Sequence, residues 1–287
     1  RGWLQNNKQG PNPDDQYGGP KPDENHTTGV ILRFNDDGSA PTDNPFFGFG
    51  SFNTINYVYA YGVRNSFGMA FDPMSGALWT EENGDDAFDE INKVGPGFNG
   101  GWVQVMGPLS RVKEFRDIEV ASGNIQQLRW PPERIATDPR LAERRMYELP
   151  GSRYTDPQFS WKYAVATAGL CFQPSDALGQ DYKGDLFVTE GRTNLLGGYI
   201  MKFDLTDDRS SLKFSDPLLS DRVADNTAKF DVKESESLVF GSGFGIAPSI
   251  EPTPTGTLIV VSLDKGIIYE IRKKSEGRPA RNTHGLP

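Results

Sequence analysis

The chain has one cysteine, two histidines and no excess of positive charge. With Cys171 alone, no intrachain disulfide can form, and cysteine usage does not assign a redox compartment. Its setting, Ala-Gly-Leu-Cys-Phe, reads as a buried and inert thiol. A net charge of −9 excludes the basic face that a nucleic-acid partner needs. The longest aliphatic run, Leu258 to Val261, is far too short to cross a bilayer as a helix. No long 3.6-residue apolar period runs through the chain, which excludes a helix bundle; Val112 to Arg129 is the best place for a short helix. Nothing at Arg1 reads as a signal peptide, and the polar start RGWLQNNKQGPNPDDQYGG suits a processed mature chain or a fragment.

What the chain does have is turns and strands. Among 287 residues there are 32 Gly and 21 Pro, with 11% aromatic residues, a composition of many short strands. One pattern recurs: a turn ending in glycine, an apolar strand, a polar turn, then a second apolar strand ending in charge. Its copies are GALWTEENGDDAFDEINKV from Gly76, GDLFVTEGRTNLLGGYIMKFDL from Gly184 and GTLIVVSLDKGIIYEIRK from Gly256. Each reads as an antiparallel hairpin with side chains alternating toward and away from a core. A further strand precedes each, in NSFGMAFDP, ATAGLCFQP and FGIAPSIEP. Repeated units of three or four antiparallel strands point to a β-propeller, with an irregular β-sandwich as the alternative. The copies are 108 and then 72 residues apart, and the longer interval holds a charged, proline-rich insertion, 107–157, expected as loops and a short helix over the propeller face.

HTTGVILRFNDDGSAP, residues 26–41, reads as the last strand of such a unit, without the strands that should come before it. An open propeller leaves an unpaired edge. The expectation is therefore a propeller domain over 1–274, with a loop-like start at 1–25 and a polar tail at 275–287. The chain would supply roughly four blades and begin mid-blade, the remaining strands coming from a longer precursor or from elsewhere.

The densest chemistry lies in YGVRNSFGMAFDPMSGALWTEENGDDAFDEIN, residues 61–92. Six carboxylates fall within ten residues: Glu81, Glu82, Asp85, Asp86, Asp89 and Glu90. Such a turn can be a solvated edge, or it can hold a hard cation through oxygen ligands, though its spacing is not that of an EF-hand loop. Arg64 can be an ion-pair partner or an anion clamp, and Asn65 can cap a turn.

GVRNSFGMAFDP, the turn MSG, ALWTEENGDDAFDEIN and PGFNGGW resemble, in order, the glucose/sorbosone dehydrogenase family, as does VILRFNDDGSAPTDNPF. YKGDLFVTE and GTLIVVSLDKGIIYEI resemble its later blades, so the likeness runs from about His26 to Arg272. The resemblance implies an all-β fold, a six-bladed β-propeller of the soluble quinoprotein type that uses pyrroloquinoline quinone (PQQ) and calcium. By position it implies that Arg64 and Asn65 face the quinone and that the backbone carbonyls of Gly84 and Asp85 ligate its calcium. Asp86, Asp89 and Glu90 are candidates for a second, structural calcium. PQQ carries three carboxylates, which an arginine pairs well, and calcium relieves the repulsion of the acidic turn.

The sequence also departs from the family pattern. The family's base is a histidine on an earlier blade, whereas His26 precedes a strand and His284 lies in the polar tail. Asp15 is the candidate for the assisting aspartate. Where the family places a lysine near the axis, the turn reads EGRTNLLGG, so Arg192 is the candidate cation. Its paired arginines are replaced by GFGIAPSI. Two functions from different classes follow: a PQQ- and calcium-dependent aldose dehydrogenase, with a sugar and an electron acceptor as partners, or a calcium-stabilised propeller acting as a binding or structural module. A lactonase-type calcium hydrolase has no independent support in the residues. The family likeness and the sequon Asn25-His26-Thr27 suggest an exported protein, extracellular or periplasmic; an oligomer is compatible with the sequence.

Overall fold

The computed structural model describes residue 27 and residues 29–49, 53–122, 132–191 and 198–274. Short strands dominate, gathered into four small sheets among the described residues. Strand β1 (Val30–Leu32) pairs antiparallel with β2 (Val58–Tyr61). β3 (Met69–Phe71), β4 (Leu78–Glu82) and β5 (Asp89–Val94) form a continuous antiparallel meander. β6 (Phe98–Asn99) returns beside β2, and the chain then enters two helices, α1 (Val112–Ala121) and α2 (Pro139–Arg145). β7 (Arg153–Tyr154) joins β6, and β8 (Phe159–Trp161) adds to β5. The second meander is β9 (Thr167–Phe172), β10 (Leu186–Glu190) and β11 (Tyr199–Leu205), extended by the short β12 (Leu212–Lys213). β13 (Val223–Ala224) pairs with β8, and β14 (Val239–Ser242) with β11. β15 (Ser249–Pro252), β16 (Leu258–Ser262) and β17 (Ile267–Ile271) complete the third meander.

These three meanders are the three repeats expected from the sequence, each with its preceding strand. Gly76, Gly184 and Gly256 all have left-handed backbone, at φ 71°, 88° and 83°, so each turn uses a conformation that glycine adopts without strain. The first strands of the meanders, β3, β9 and β15, lie next to one another.

The simple alternation expected along β4 is absent, because every residue of Leu78–Glu82 is buried. At β4 the sheet is covered on both faces. Trp79 packs on one side with Phe172, Leu186 and Trp161, while Leu78 and Val94 face Ala60 and Phe98 on the other. A strand sandwiched between sheets has no wet face, so it loses the alternating signature. Cys171 is buried as expected, and burial pushes its thiol up.

One face is only half covered. Phe71 pairs with Leu78, and Leu78 with Val94, so the three share a face of the first meander. Leu78 and Val94 lie beneath the β1–β2 sheet, but Phe67, Met69 and Phe71 are 67%, 61% and 68% exposed. β1 is the edge strand of that neighbouring sheet.

Among the described residues, the insertion at 107–157 holds two α-helices where one short helix was expected. α1 buries Val112 and Phe115 against Phe88 and Met106. α2 begins where Asp138 accepts a hydrogen bond from the Leu141 N–H, with Pro139 in its first turn. Among the described residues, no helix is long and apolar enough to cross a membrane.

Candidate functional site

β4 and β5 are joined by the turn Asn83–Phe88, and the segment Arg64–Gly68 enters β3 beside it. The acidic turn is not a solvated edge. Glu81, Glu82, Asp86, Asp89 and Glu90 are all buried, and each carboxylate is held by donors.

Glu81 accepts from the backbone N–H groups of Phe67 (2.5 Å) and Gly68 (2.6 Å), from the Thr167 hydroxyl (2.7 Å) and from the Asn83 amide (3.1 Å). Glu82 accepts from the Arg64 N–H at 2.7 Å. Burial pushes the Glu81 carboxyl up to about 8 against the pull of Thr167, Gly68 and Phe67. Burial, and then the charge of Glu90, holds Glu82 well above the usual carboxylate range. Glu90 is pushed up to about 8, again first by burial. Several carboxyl groups thus share a small dry volume, an environment that favours either protons or a cation.

Arg64 lies against this turn. One guanidinium N–H donates to the Asn83 carbonyl at 2.6 Å, the other terminal nitrogen is 3.8 Å from Asp85 Oδ1, and the group sits 5.4 Å from the centre of the Trp102 ring. Asn65 follows it, exposed, with its carbonyl accepting from the Asn83 N–H at 2.9 Å. The structure therefore brings Arg64, Asn65, Gly84 and Asp85 to one place.

Asp89 and Glu90 are differently employed. Asp89, expected beside a cation, receives the Gly84 N–H on Oδ1 (2.9 Å) and those of Val165 (2.8 Å) and Ala166 (2.7 Å) on Oδ2. Glu90 accepts from the Gly107 N–H and from Asn92. Neither reaches the carboxylate group that forms nearby, which consists of Asp85, Asp86 and Glu119. Their hydrogen bonds go to backbone because the turn must close tightly and its buried N–H groups need acceptors.

Glu119 was not singled out by sequence reasoning. It projects from α1, and one oxygen accepts from the N–H groups of both Asp86 and Ala87 at 2.9 Å. Its one legible signal was an acid on the apolar side of a short amphipathic segment. Lys229 and Ser122 both contact Asp86. Asp15, His26, Arg192 and His284 lie outside the described residues.

The donor set suits a hard dication. Among the described residues, the carbonyls of Gly84 and Asp85 accept no hydrogen bond, and Asp85 Oδ2 is buried without a partner. Burial raises the Asp85 carboxyl, opposed by Arg64. A tricarboxylate cofactor finds less here. Arg64 is already engaged by the turn, so a cation at the turn would be the main local positive charge.

The sequence profile for glucose/sorbosone dehydrogenase matches residues 14–119, the segment that contains this site. An aldose sugar dehydrogenase, YliI of Escherichia coli (strain K12), is 29% identical over 164 residues, 56% of this chain and 35% of that protein. Quinoprotein glucose dehydrogenase B of Acinetobacter calcoaceticus is 45% identical over 80 residues, 28% of this chain and 16% of that protein. A crystal structure of a glucose dehydrogenase superposes with a TM-score of 0.54 at 20% identity, over 94% of this chain and 59% of that one. The chain thus spans 35% and 16% of the two relatives' own lengths and 59% of the superposed structure. Over the segment that holds the site, the chain is thus similar to the glucose/sorbosone dehydrogenase family.

Proposed function

We propose that the chain carries the cofactor side of a PQQ- and calcium-dependent aldose dehydrogenase, which oxidises the sugar at its anomeric carbon to the lactone. The observation that supports this most is the buried acidic turn, where Asp85 Oδ2 has no partner among the described residues, next to Arg64 and inside the segment that matches the family. When bound, calcium-held PQQ would supply the hydride acceptor. The carbonyls of Gly84 and Asp85 would hold the cation, and Asn65 would offer its exposed amide to the quinone. Arg64 would bring one positive charge to the rim, and Arg192 is the second cation on sequence grounds. Asp89 and Glu90 serve by shaping the turn.

The fold that suits this reading is a six-bladed ring. Further strands alongside β1 would cover Phe67, Met69 and Phe71, which the β1–β2 sheet leaves bare. A sugar and an electron acceptor are the partners of this activity, and export to a calcium-rich compartment fits the cation requirement.

A second reading, a calcium-stabilised propeller that binds other molecules and has no redox role, draws on Arg64 being already engaged by Asn83 and Asp85. Calorimetric titration of PQQ, with calcium and then with a chelator, separates the two. Calcium-dependent binding that is lost in Arg64→Ala supports the dehydrogenase. Stabilisation by calcium with no uptake of PQQ leaves the second reading standing.

A further inference from the structure

The first two meanders can be superimposed by their pairing. Phe71 faces Leu78 in one and Phe172 faces Leu186 in the other. Four residues beyond each leucine stands a glutamate, Glu82 or Glu190, and seven residues before each phenylalanine stand Arg64 and Val165. In the first meander Glu82 accepts the N–H of Arg64. In the second, the corresponding N–H of Val165 goes instead to Asp89 of the preceding sheet, at 2.8 Å. Glu190, 2% exposed, is left with Oε1 lacking a partner among the described residues. An internal bond of one sheet has been replaced by a bond between two.

Asp89 is not alone in crossing that boundary. The Asn83 amide donates to the Thr167 carbonyl at 2.6 Å, the Thr167 hydroxyl donates to Glu81 at 2.7 Å, and the Ala164 N–H donates to the Asp86 carbonyl at 3.0 Å. Asp89 joins the backbone of the two sides through both of its oxygens. One of its oxygens holds Gly84 and the other holds Val165 and Ala166. Ala166 sits there in left-handed backbone, at φ 62°, a conformation that costs a residue with a Cβ and that the two-sided grip sustains.

We infer that Asp89 is a positioning residue which locks the Gly84–Asp85 turn to the Val165–Thr167 segment of the next sheet, so that cation affinity at the turn depends on the neighbouring sheet. The inference rests on the calcium site proposed above. Outer ligands that orient a metal's direct ligands change its affinity by roughly 10- to 100-fold when removed. Asn in place of Asp89 keeps the shape, but it turns an N–H donor toward either Gly84 or Val165.

The test is amide hydrogen exchange on the full chain, with and without calcium plus PQQ, alongside calcium titration. In the wild type, ligand should slow exchange at Gly84 and at Val165–Thr167 together. In Asp89→Asn, both segments should exchange faster without ligand. The protection of Val165–Thr167 on binding should vanish, and calcium should bind roughly 10- to 100-fold more weakly. Glu190→Gln should change neither. A folded Asp89→Asn protein that binds calcium as the wild type does, with the protection of Val165–Thr167 intact, overturns the inference. Should Asp89→Asn not fold, Thr167→Val takes its place. It removes only the hydroxyl bond to Glu81, so with the Asp89 bonds intact Gly84 and Val165–Thr167 should still gain protection together on ligand binding, and protection at Gly84 with none at Val165–Thr167 overturns the inference. If the wild type binds neither calcium nor PQQ, the functional reading falls separately. The lock is then judged by ligand-free exchange, which must rise at both segments in Asp89→Asn.

Discussion

Replacing Gly84 with alanine would drive a methyl group into backbone. A Cβ built there lies 2.4 Å from the Phe88 carbonyl oxygen and 2.7 Å from both the Ala87 carbonyl carbon and the Phe88 nitrogen. Ordinary contact begins near 3.4 Å, so the turn must open by about 1 Å, and no flexible side chain is there to absorb the shift. The bonds that close the turn, Gly84 to Asp89 and Asp86 and Ala87 to Glu119, are each 2.9 Å long. An opening of that size stretches them past hydrogen-bonding range. Overpacking alone costs about 1–3 kcal/mol, and each bond lost adds about 1 kcal/mol. A loss of about 4–6 kcal/mol is expected, or a Tm lower by roughly 7–10 °C for a chain of this size. Urea denaturation and thermal melts, each with calcium and with chelator, measure it, and the calcium response should shrink as well. Gly95→Ala is the control, because its Cβ would meet nothing within 4 Å. A Gly84→Ala protein within about 1 kcal/mol of the wild type, with its calcium response intact, would refute the argument that this turn is closed by contact.

Three further outcomes follow from the same packing. Glu81 and Glu90 have folded pKa values of about 8 against 4.5 for a free glutamate, so the folded chain holds more protons than the unfolded one between those values. In chelator, stability should therefore fall as pH rises from 4.5 toward 8; denaturant midpoints that climb across that window would contradict it. Arg209 ties two meanders together, with Nε 2.5 Å from the fully buried Asp72 and Nη2 2.7 Å from the Gly184 carbonyl. Arg209→Ala strands a buried carboxylate and should cost about 3–5 kcal/mol in urea unfolding, and a loss under 1 kcal/mol would show that Asp72 finds water. Phe71→Ser should change the isolated chain by no more than about 0.5 kcal/mol, since that ring is 68% exposed. A cost near that of a core phenylalanine would mean the face is already covered.

How much of this was legible depended on how local the cause was. The three meanders follow from residues that are neighbours in the chain: a left-handed glycine, a run of apolar residues and a polar turn. The contact between Arg64 and the acidic turn was readable because both flank one hairpin. The start of α2 was equally local, in Asp138-Pro139, and went unread because the insertion was taken to hold a single short helix.

The use of each carboxylate was not local. Asp89 meets Val165 across 76 positions of sequence, and Glu119 reaches Asp86 across 33. Composition presented six similar acids in ten residues, and nothing in their spacing separated Asp85, whose Oδ2 has no partner among the described residues, from those held by backbone and side-chain donors. Sequence by itself determined the strands, the turns and the closeness of charge, because backbone preference and side-chain period act over a few residues. Only the tertiary structure decided which acids are buried, which grip the next sheet and which face stays bare, because desolvation and hydrogen-bond geometry are set by whatever distant segment comes to lie alongside.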